Sequence, residues 1–363
     1  MDSIKALMSI IDTIHMGFYP SEFKLTEDDF KYLEEQKQLS KESGFSGNDL
    51  IEFKGKYWHI TSARKIYAYV LYNDDATIKI ARKLSGGAYP EIFVEFRSRL
   101  LLGGLTDAYL IIREWIEKWA VISSEKVSRA DLTTDFQGDL RLDMDNVVMR
   151  CRKNDTNFES LHREGRRITG YTFGSGELML RIYDKTQELK KKGKQYILAE
   201  WEKHGWDKES EVWRVEYQMR REVLKQFKIE TLQDLRIKAP DMWNYLTKEW
   251  FTVRQPSVTD STRSRWSYTE LWETVQESFK SFGELSGVVR EKIKQVTLEK
   301  LVPQMSGLVT SCMALMVKKR IDIRELLKII ENDCDRKGKT IETVVRSKLR
   351  RYALFEESYF EAI

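Results

Sequence analysis

Cysteine, histidine and long apolar runs are all scarce in this chain, and each scarcity removes a class of chemistry. Only three cysteines occur, Cys151, Cys312 and Cys334. They are widely spaced and odd in number, so they supply neither a disulfide framework nor a zinc-ligand spacing. A reducing compartment is expected, with a cytoplasmic location. The four histidines, His15, His59, His162 and His204, form no H-x-H or HExxH pair, which sets aside a histidine-held metal and a zinc protease. His59 reads as a packed strand residue and His162 as a surface-loop residue. No stretch approaches the roughly 20 apolar residues that span a bilayer. Met1 to Met16 carries Asp2, Lys5 and Asp12 where a signal peptide would be uncharged. No membrane partner is expected. The glycines of 170–176 lack the GxxxxGK(S/T) pattern of a nucleotide loop, and no nucleophile elbow is present. ATP hydrolysis and acyl transfer have no visible machinery.

What is present is charge, in clusters. The 61 basic and 57 acidic residues of the 363 leave a net charge of only +4, so bulk charge does not argue for nucleic acid. The clusters at 163–167, 190–194, 318–324 and 346–351 give a directional footprint instead. Read one at a time, each is first of all a solvated helix face. The pattern of elements predicts an α+β fold: a central antiparallel sheet with flanking helices, followed by a mostly helical C-terminal domain. Residues 1–55 read as an N-terminal helical or polar segment, 56–255 as the catalytic domain, and 256–363 as a helical domain for DNA or partner binding. Strands are expected at 67–72, 76–81, 92–96, 127–136, 169–173, 178–184 and 212–219. Helices are expected at 109–120, 143–150 and 186–204. The Ser/Thr-rich stretch 257–264 reads as a linker. No internal repeat is visible.

Three of these strands share an unusual polarity. Strand alternation puts Arg129, Asp131, Thr133 and Asp135 on one face. It likewise groups Arg181, Tyr183 and Lys185, and then Arg214, Glu216 and Gln218, opposite Trp213, Val215 and Tyr217. A wetted sheet face alternates in the same way without any site. Here, however, the polar side offers three carboxylates, three arginines, a lysine and a tyrosine rather than a loose mixture. If the strands are neighbours, Asp131, Asp135 and Glu216 converge, and such a set suits Mg²⁺ or Mn²⁺. Tyr183, with a cation on each side, is placed to meet a phosphate and to lose its proton more easily than a free tyrosine. The expected chemistry is metal-assisted phosphoryl transfer.

Four segments occur in order: Arg129-x-Asp131-x3-Asp135, Tyr171-Thr-Phe-Gly-Ser175, Arg181-Ile-Tyr-Asp-Lys185 and Arg214-Val-Glu-Tyr217, with a weaker one at Gly87 to Glu95. Together they resemble the replication-initiation factor family, which includes initiators of rolling-circle plasmids and phages and relaxases of conjugative transposons. The resemblance spans Ile66 to Phe227. It implies a sequence-specific, metal-dependent DNA nickase and religase working through a 5′-phosphotyrosine. Tyr183 would be the nucleophile, Asp131, Asp135 and Glu216 the metal ligands, and Arg181, Lys185 and Arg214 the groups that steady the phosphate. Arg129, Tyr171, Ser175, Lys190, Lys191 and Lys192 would contact DNA, with Tyr171 the competing nucleophile. Trp58, Tyr89 and Phe173 are candidates for base stacking. The implied partners are origin DNA as duplex, hairpin or single strand, a host replicative helicase and a second copy of the chain. Two other readings stay open: a conjugative relaxase with the same chemistry, and a non-catalytic origin-binding protein. The absence of an obvious N-terminal helix-turn-helix favours replication over transfer.

Overall fold

The computed structural model describes residues 4–42, 44, 50–62, 66–150, 159–164, 167–192, 195–288, 290, 298–316, 323–338, 340 and 342–343. The chain falls into two units, residues 1–291 and 292–363. In chain order the first unit begins with β1 (Lys5–Phe23), α1 (Glu27–Glu42), β2 (Leu50–Phe53), β3 (Lys56–Ser62), β4 (Tyr69–Tyr72), β5 (Ala76–Ile80) and β6 (Ile92–Phe96). It continues through α2 (Ser98–Leu102), α3 (Leu105–Glu117), β7 (Ala120–Gln137), β8 (Val147–Met149), β9 (Glu159–Glu164), β10 (Arg167–Ser175) and β11 (Leu178–Asp184). Then come α4 (Lys185–Lys192), α5 (Gln195–Lys203), β12 (Val212–Arg220), α6 (Arg221–Gln226), α7 (Leu232–Tyr245), β13 (Phe251–Val253) and α8 (Glu270–Glu277). The second unit contains α9 (Leu298–Met316) and α10 (Ile323–Arg336).

The fold is α+β. Among the described residues, eleven strands form one antiparallel sheet in the order β2-β3-β4-β5-β6-β1-β7-β12-β11-β10-β9, and β8 pairs with β13 in a small second sheet. The two longest strands, β1 and β7, lie side by side at its centre. This corrects the reading of residues 1–55 as a helical or polar segment for its first part, which is β1, while α1 supplies the helix expected after it. β1 escapes a period-two search because its pairing with β7 is interrupted by register shifts, one of them at Asp12 between Ile11 and Thr13. Each shift inserts a residue and flips the alternation.

One face of the sheet is apolar. Ile14, Met16 and Phe18 from β1, Ala130 and Leu132 from β7, and Val215 and Tyr217 from β12 are buried there. Trp58, Trp115 and Trp119 pack edge to face under one half of the sheet. Under the other half, Tyr217 packs edge-on against Trp243 and Trp250. On the opposite face, a smaller cluster of Leu7, Met8, Leu189, Ile197, Trp201 and Val212 seats α4 and α5 over one end.

Two further expectations change. Residues 143–150 form a single 3-10 turn, Met144–Asn146, followed by β8, because Val147 and Val148 favour extended backbone. The domain boundary lies not at 256 but beyond 288. α8 belongs to the first unit, with Trp272 and Val275 fully buried and the Trp272 indole donating to Thr247 O at 2.8 Å. The helix expected at 186–204 appears as α4 and α5. The basic segments at 318–322 and 346–351 lie outside the described residues.

Candidate active site

Neighbouring strands carry the predicted polar side chains onto one face in matched register. Between β7 and β12, Asp131 stands opposite Gln218, Thr133 opposite Glu216, and Asp135 opposite Arg214. Between β12 and β11, Glu216 stands opposite Arg181 and Arg214 opposite Tyr183. β10 adds Thr172 beside Arg181 and Gly170 beside Tyr183. Directly paired residues project to the same side of a sheet. Glycine is required at 170, since a Cβ there would come within 2.9 Å of Tyr183 Cβ and 3.0 Å of Ile182 O.

Each carboxylate on this face meets its own cation. Asp131 accepts from Arg129 Nε at 2.8 Å and from the same guanidinium's Nη2. Asp135 accepts from Arg214 Nε at 2.5 Å and Nη2 at 2.8 Å, and also from the Trp201 indole at 2.8 Å. Glu216 Oε1 accepts from Arg181 Nη1 at 2.6 Å, while Arg181 Nη2 donates to Gln218 Oε1 at 3.0 Å. The Gln218 amide nitrogen is buried with no hydrogen-bond partner among the described residues. Arg214, 0% exposed, also donates Nη1 to Asp12 Oδ1 at 2.8 Å. Asp12 was missed by sequence reasoning. It is the inserted residue of a β1 bulge, and only the pairing of β1 with β7 brings it here.

Tyr183 sits at the centre of this set. Its hydroxyl donates to Glu216 Oε2 at 3.0 Å and receives Lys185 Nζ at 3.4 Å. Lys185 is buried and also paired with Glu188. The expectation of an easily ionised phenol is overturned. Burial, and then the Glu216 charge, push the Tyr183 phenol well above its usual range, and Arg214 only partly offsets them. Lys185 is lowered by burial and by Arg214. Asp131 is raised to about 7, because burial outweighs its pairing with Arg129 and Glu216 adds repulsion. Arg214 is held well above its usual value: burial alone would lower it, but Asp135 and Asp12 dominate. The face opens into a cleft of about 430 Å³ whose lining includes Asp12, Arg129, Asp131, His162, Tyr183 and Glu216.

The predicted metal ligands do not form one cluster. Among the described residues no three His, Cys, Asp or Glu side chains are grouped to hold a metal ion. Asp135 does not fit, since both of its oxygens are taken by Arg214 and one by Trp201 as well. The repulsion that seemed to demand a cation is met by guanidinium groups. Asp131 and Glu216 remain as carboxylates whose arginine partners, Arg129 and Arg181, are partly exposed. Two carboxylates with phosphate and water satisfy Mg²⁺.

The remaining predicted residues divide by face. Tyr171, 1% exposed, points to the apolar side, where its hydroxyl receives Leu142 N at 2.9 Å. It is a packed residue and no competing nucleophile, because it pairs with Ile182 rather than Tyr183. Trp58 and Phe173 are likewise in the core and offer no stacking surface, whereas Tyr89 is half-buried. Ser175 is exposed at the end of β10, and Lys190 and Lys191 are exposed on α4, Lys191 beside Glu164. The side chain of Lys192 lies outside the described set. His162 is on β9 rather than a loop, with Nε2 at 2.9 Å from Thr172 Oγ1.

No protein-family model and no curated protein matches the chain. A solved structure similar to it is a rolling circle replication initiator protein from Geobacillus stearothermophilus. The two share 14% identity and a TM-score of 0.41, over 80% of this chain and 100% of that one. A likeness of that size does not decide the chemistry, which rests on the side chains above. Among the described residues no helix is long and apolar enough to cross a membrane.

Proposed function

We propose that this chain nicks and rejoins DNA through Tyr183, as a sequence-specific initiator of rolling-circle replication. The observation that carries the reading is the Tyr183 hydroxyl held between Glu216 at 3.0 Å and Lys185 at 3.4 Å, in a cleft lined by Arg129 and Arg181. A phosphodiester entering that cleft draws the two guanidinium groups to its oxygens, since they present bidentate forks. Tyr183 attacks phosphorus, and its proton passes to Glu216 Oε2. The bond between phosphorus and the 3′ oxygen breaks on the side away from Tyr183, and that oxygen takes its proton from water, while the Lys185 ammonium beside the attacking oxygen steadies charge there. The result is a 5′-phosphotyrosine and a free 3′-OH, and the reverse transfer reseals the strand. Arg214 does not touch the phosphate here. It is a positioning residue that fixes Asp12 and Asp135 around the tyrosine. Mg²⁺ or Mn²⁺ on Asp131 and Glu216 would act as a Lewis acid on a phosphate oxygen.

The raised phenol supports this assignment of the proton. At neutral pH Tyr183 is not a phenolate, so a neighbouring base is required, and Glu216 is in hydrogen-bond reach. Incubating the protein with single-stranded oligonucleotides from its own element and Mn²⁺ or Mg²⁺ should give a covalent adduct. Tyr183→Phe should abolish the adduct, and Glu216→Gln should slow it by two or more orders of magnitude. An adduct that persists in Tyr183→Phe would assign the wrong nucleophile. No adduct with any oligonucleotide from the element would remove the nickase reading.

A further inference from the structure

The sheet contains a repeat that the sequence hides. Outward from its centre the strands run β1-β6-β5-β4-β3-β2 on one side and β7-β12-β11-β10-β9 on the other, the edge strand β2 having no counterpart among the described residues. In each half a long strand comes first, and a meander returns to pair with it. The returning strand then leads into two helices, α2 and α3 in the first half and α6 and α7 in the second. The approximate two-fold axis passes between β1 and β7 at the pair Thr13 and Asp131. Side chains obey the same relation. Val94-Glu95-Phe96 in β6 corresponds to Val215-Glu216-Tyr217 in β12. Glu95 pairs with His15 on the long strand and Thr77 on the next, as Glu216 pairs with Thr133 and Arg181. Two residues beyond Thr77, Lys79 Nζ donates to Glu95 at 2.5 Å. Two residues beyond Arg181, the Tyr183 hydroxyl donates to Glu216 at 3.0 Å. Lys79 therefore stands where the second half has its tyrosine.

Two clefts open beside this axis. The second, of about 680 Å³, is lined by His15, Glu95, Arg97, Arg99 and Tyr196 among others, and shares Asp12, Thr13 and Arg129 with the Tyr183 cleft. The shared residues flank the axis, so the two clefts adjoin there. We propose that the second cleft holds the stretch of single-stranded DNA that flanks the scissile phosphate. This rests on the reading of the Tyr183 cleft as a DNA site. Arg97, Arg99 and Arg129 supply cationic forks along the second cleft, and the half-buried ring of His15 and the Tyr196 phenol supply flat surface for bases.

The test uses the full chain, without divalent metal, and fluorescent single-stranded oligonucleotides from the element in graded lengths of about 4 to 16 nucleotides. Anisotropy gives the ratio of affinities for long and short strands. Arg99→Ala alters an arginine on the rim of the second cleft that is half-exposed and paired with Asp74 and Asp75. It should lower that ratio several-fold and reduce the log–log salt slope for the long strand by about 1. Lys203→Ala, which removes an exposed charge from neither cleft, should leave the ratio at its wild-type value. An Arg99→Ala ratio equal to wild type overturns the proposal, as does a wild-type affinity that does not grow with length. A length-dependent affinity lost in Arg99→Ala, in a wild-type protein that forms no adduct, would support the second cleft while removing the nickase reading.

Discussion

Arg214 has no exposed surface and touches three acceptor oxygens, two on Asp135 and one on Asp12. Removing its charge leaves two carboxylates facing each other out of water. Arg214→Met should therefore cost about 3–5 kcal/mol of folding stability, read from urea denaturation. A loss below about 1 kcal/mol, within the range of a surface ion pair, would show that water replaces the guanidinium. His15 makes a separate prediction about pH. Burial lowers its pKa from 6.5 to about 4, Glu95 opposing and Arg129, Lys79 and Arg220 assisting. Between those values the unfolded chain binds more protons than the folded one, so stability is lost as pH falls from about 6.5 to about 4. The slope from this residue is at most about 1.4 kcal/mol per pH unit. His15→Gln should remove that part of the slope in denaturation curves taken across the window. An unchanged slope would assign the acid sensitivity elsewhere.

At the scale of elements, the site depends on close strand packing as much as on its charged residues. β10 passes β11 at Gly170 with no room for a methyl group. Gly170→Ala should push Tyr183 off Glu216 and slow adduct formation tenfold or more, since misplacement of about 1 Å costs that much or beyond. Far-ultraviolet circular dichroism should stay as in wild type. Full activity in that variant would mean that the strand pair relaxes without moving the tyrosine. Strands β11 and β12 were legible in the sequence because their pairing has no register shift, and β10 was legible from Gly170 onward, beyond its one shift. β1 was not, because its bulges scramble the period. That bulge also explains why Asp12 could not be anticipated: a bulged residue leaves the face its position implies.

For the whole molecule, the boundary between units decides what can be removed. Trp272 and Val275 of α8 close the core beneath Trp243 and Phe251, and Trp243 Nε1 donates to Val275 O at 3.0 Å. A chain ended at residue 291 should melt cooperatively, whereas one ended at 256 should expose this core and aggregate. Size-exclusion chromatography with thermal melting separates the outcomes, and a cooperative fold at 256 would restore the boundary read from composition. The Ser/Thr-rich stretch looked like a linker only because local composition does not report what the next helix packs against. The sequence by itself determined the α+β class and the polar faces of β7, β11 and β12, with Tyr183 among arginines and carboxylates, since side-chain alternation is a local property of the backbone. Only the tertiary structure decided which charge meets which. Strand order and register placed Arg214 between Asp12 and Asp135, took Asp135 out of any metal set and raised the Tyr183 phenol by burial. They also set a second cleft beside the first, sharing Asp12, Thr13 and Arg129 with it. These depend on contacts between residues far apart in the chain, which no local pattern records.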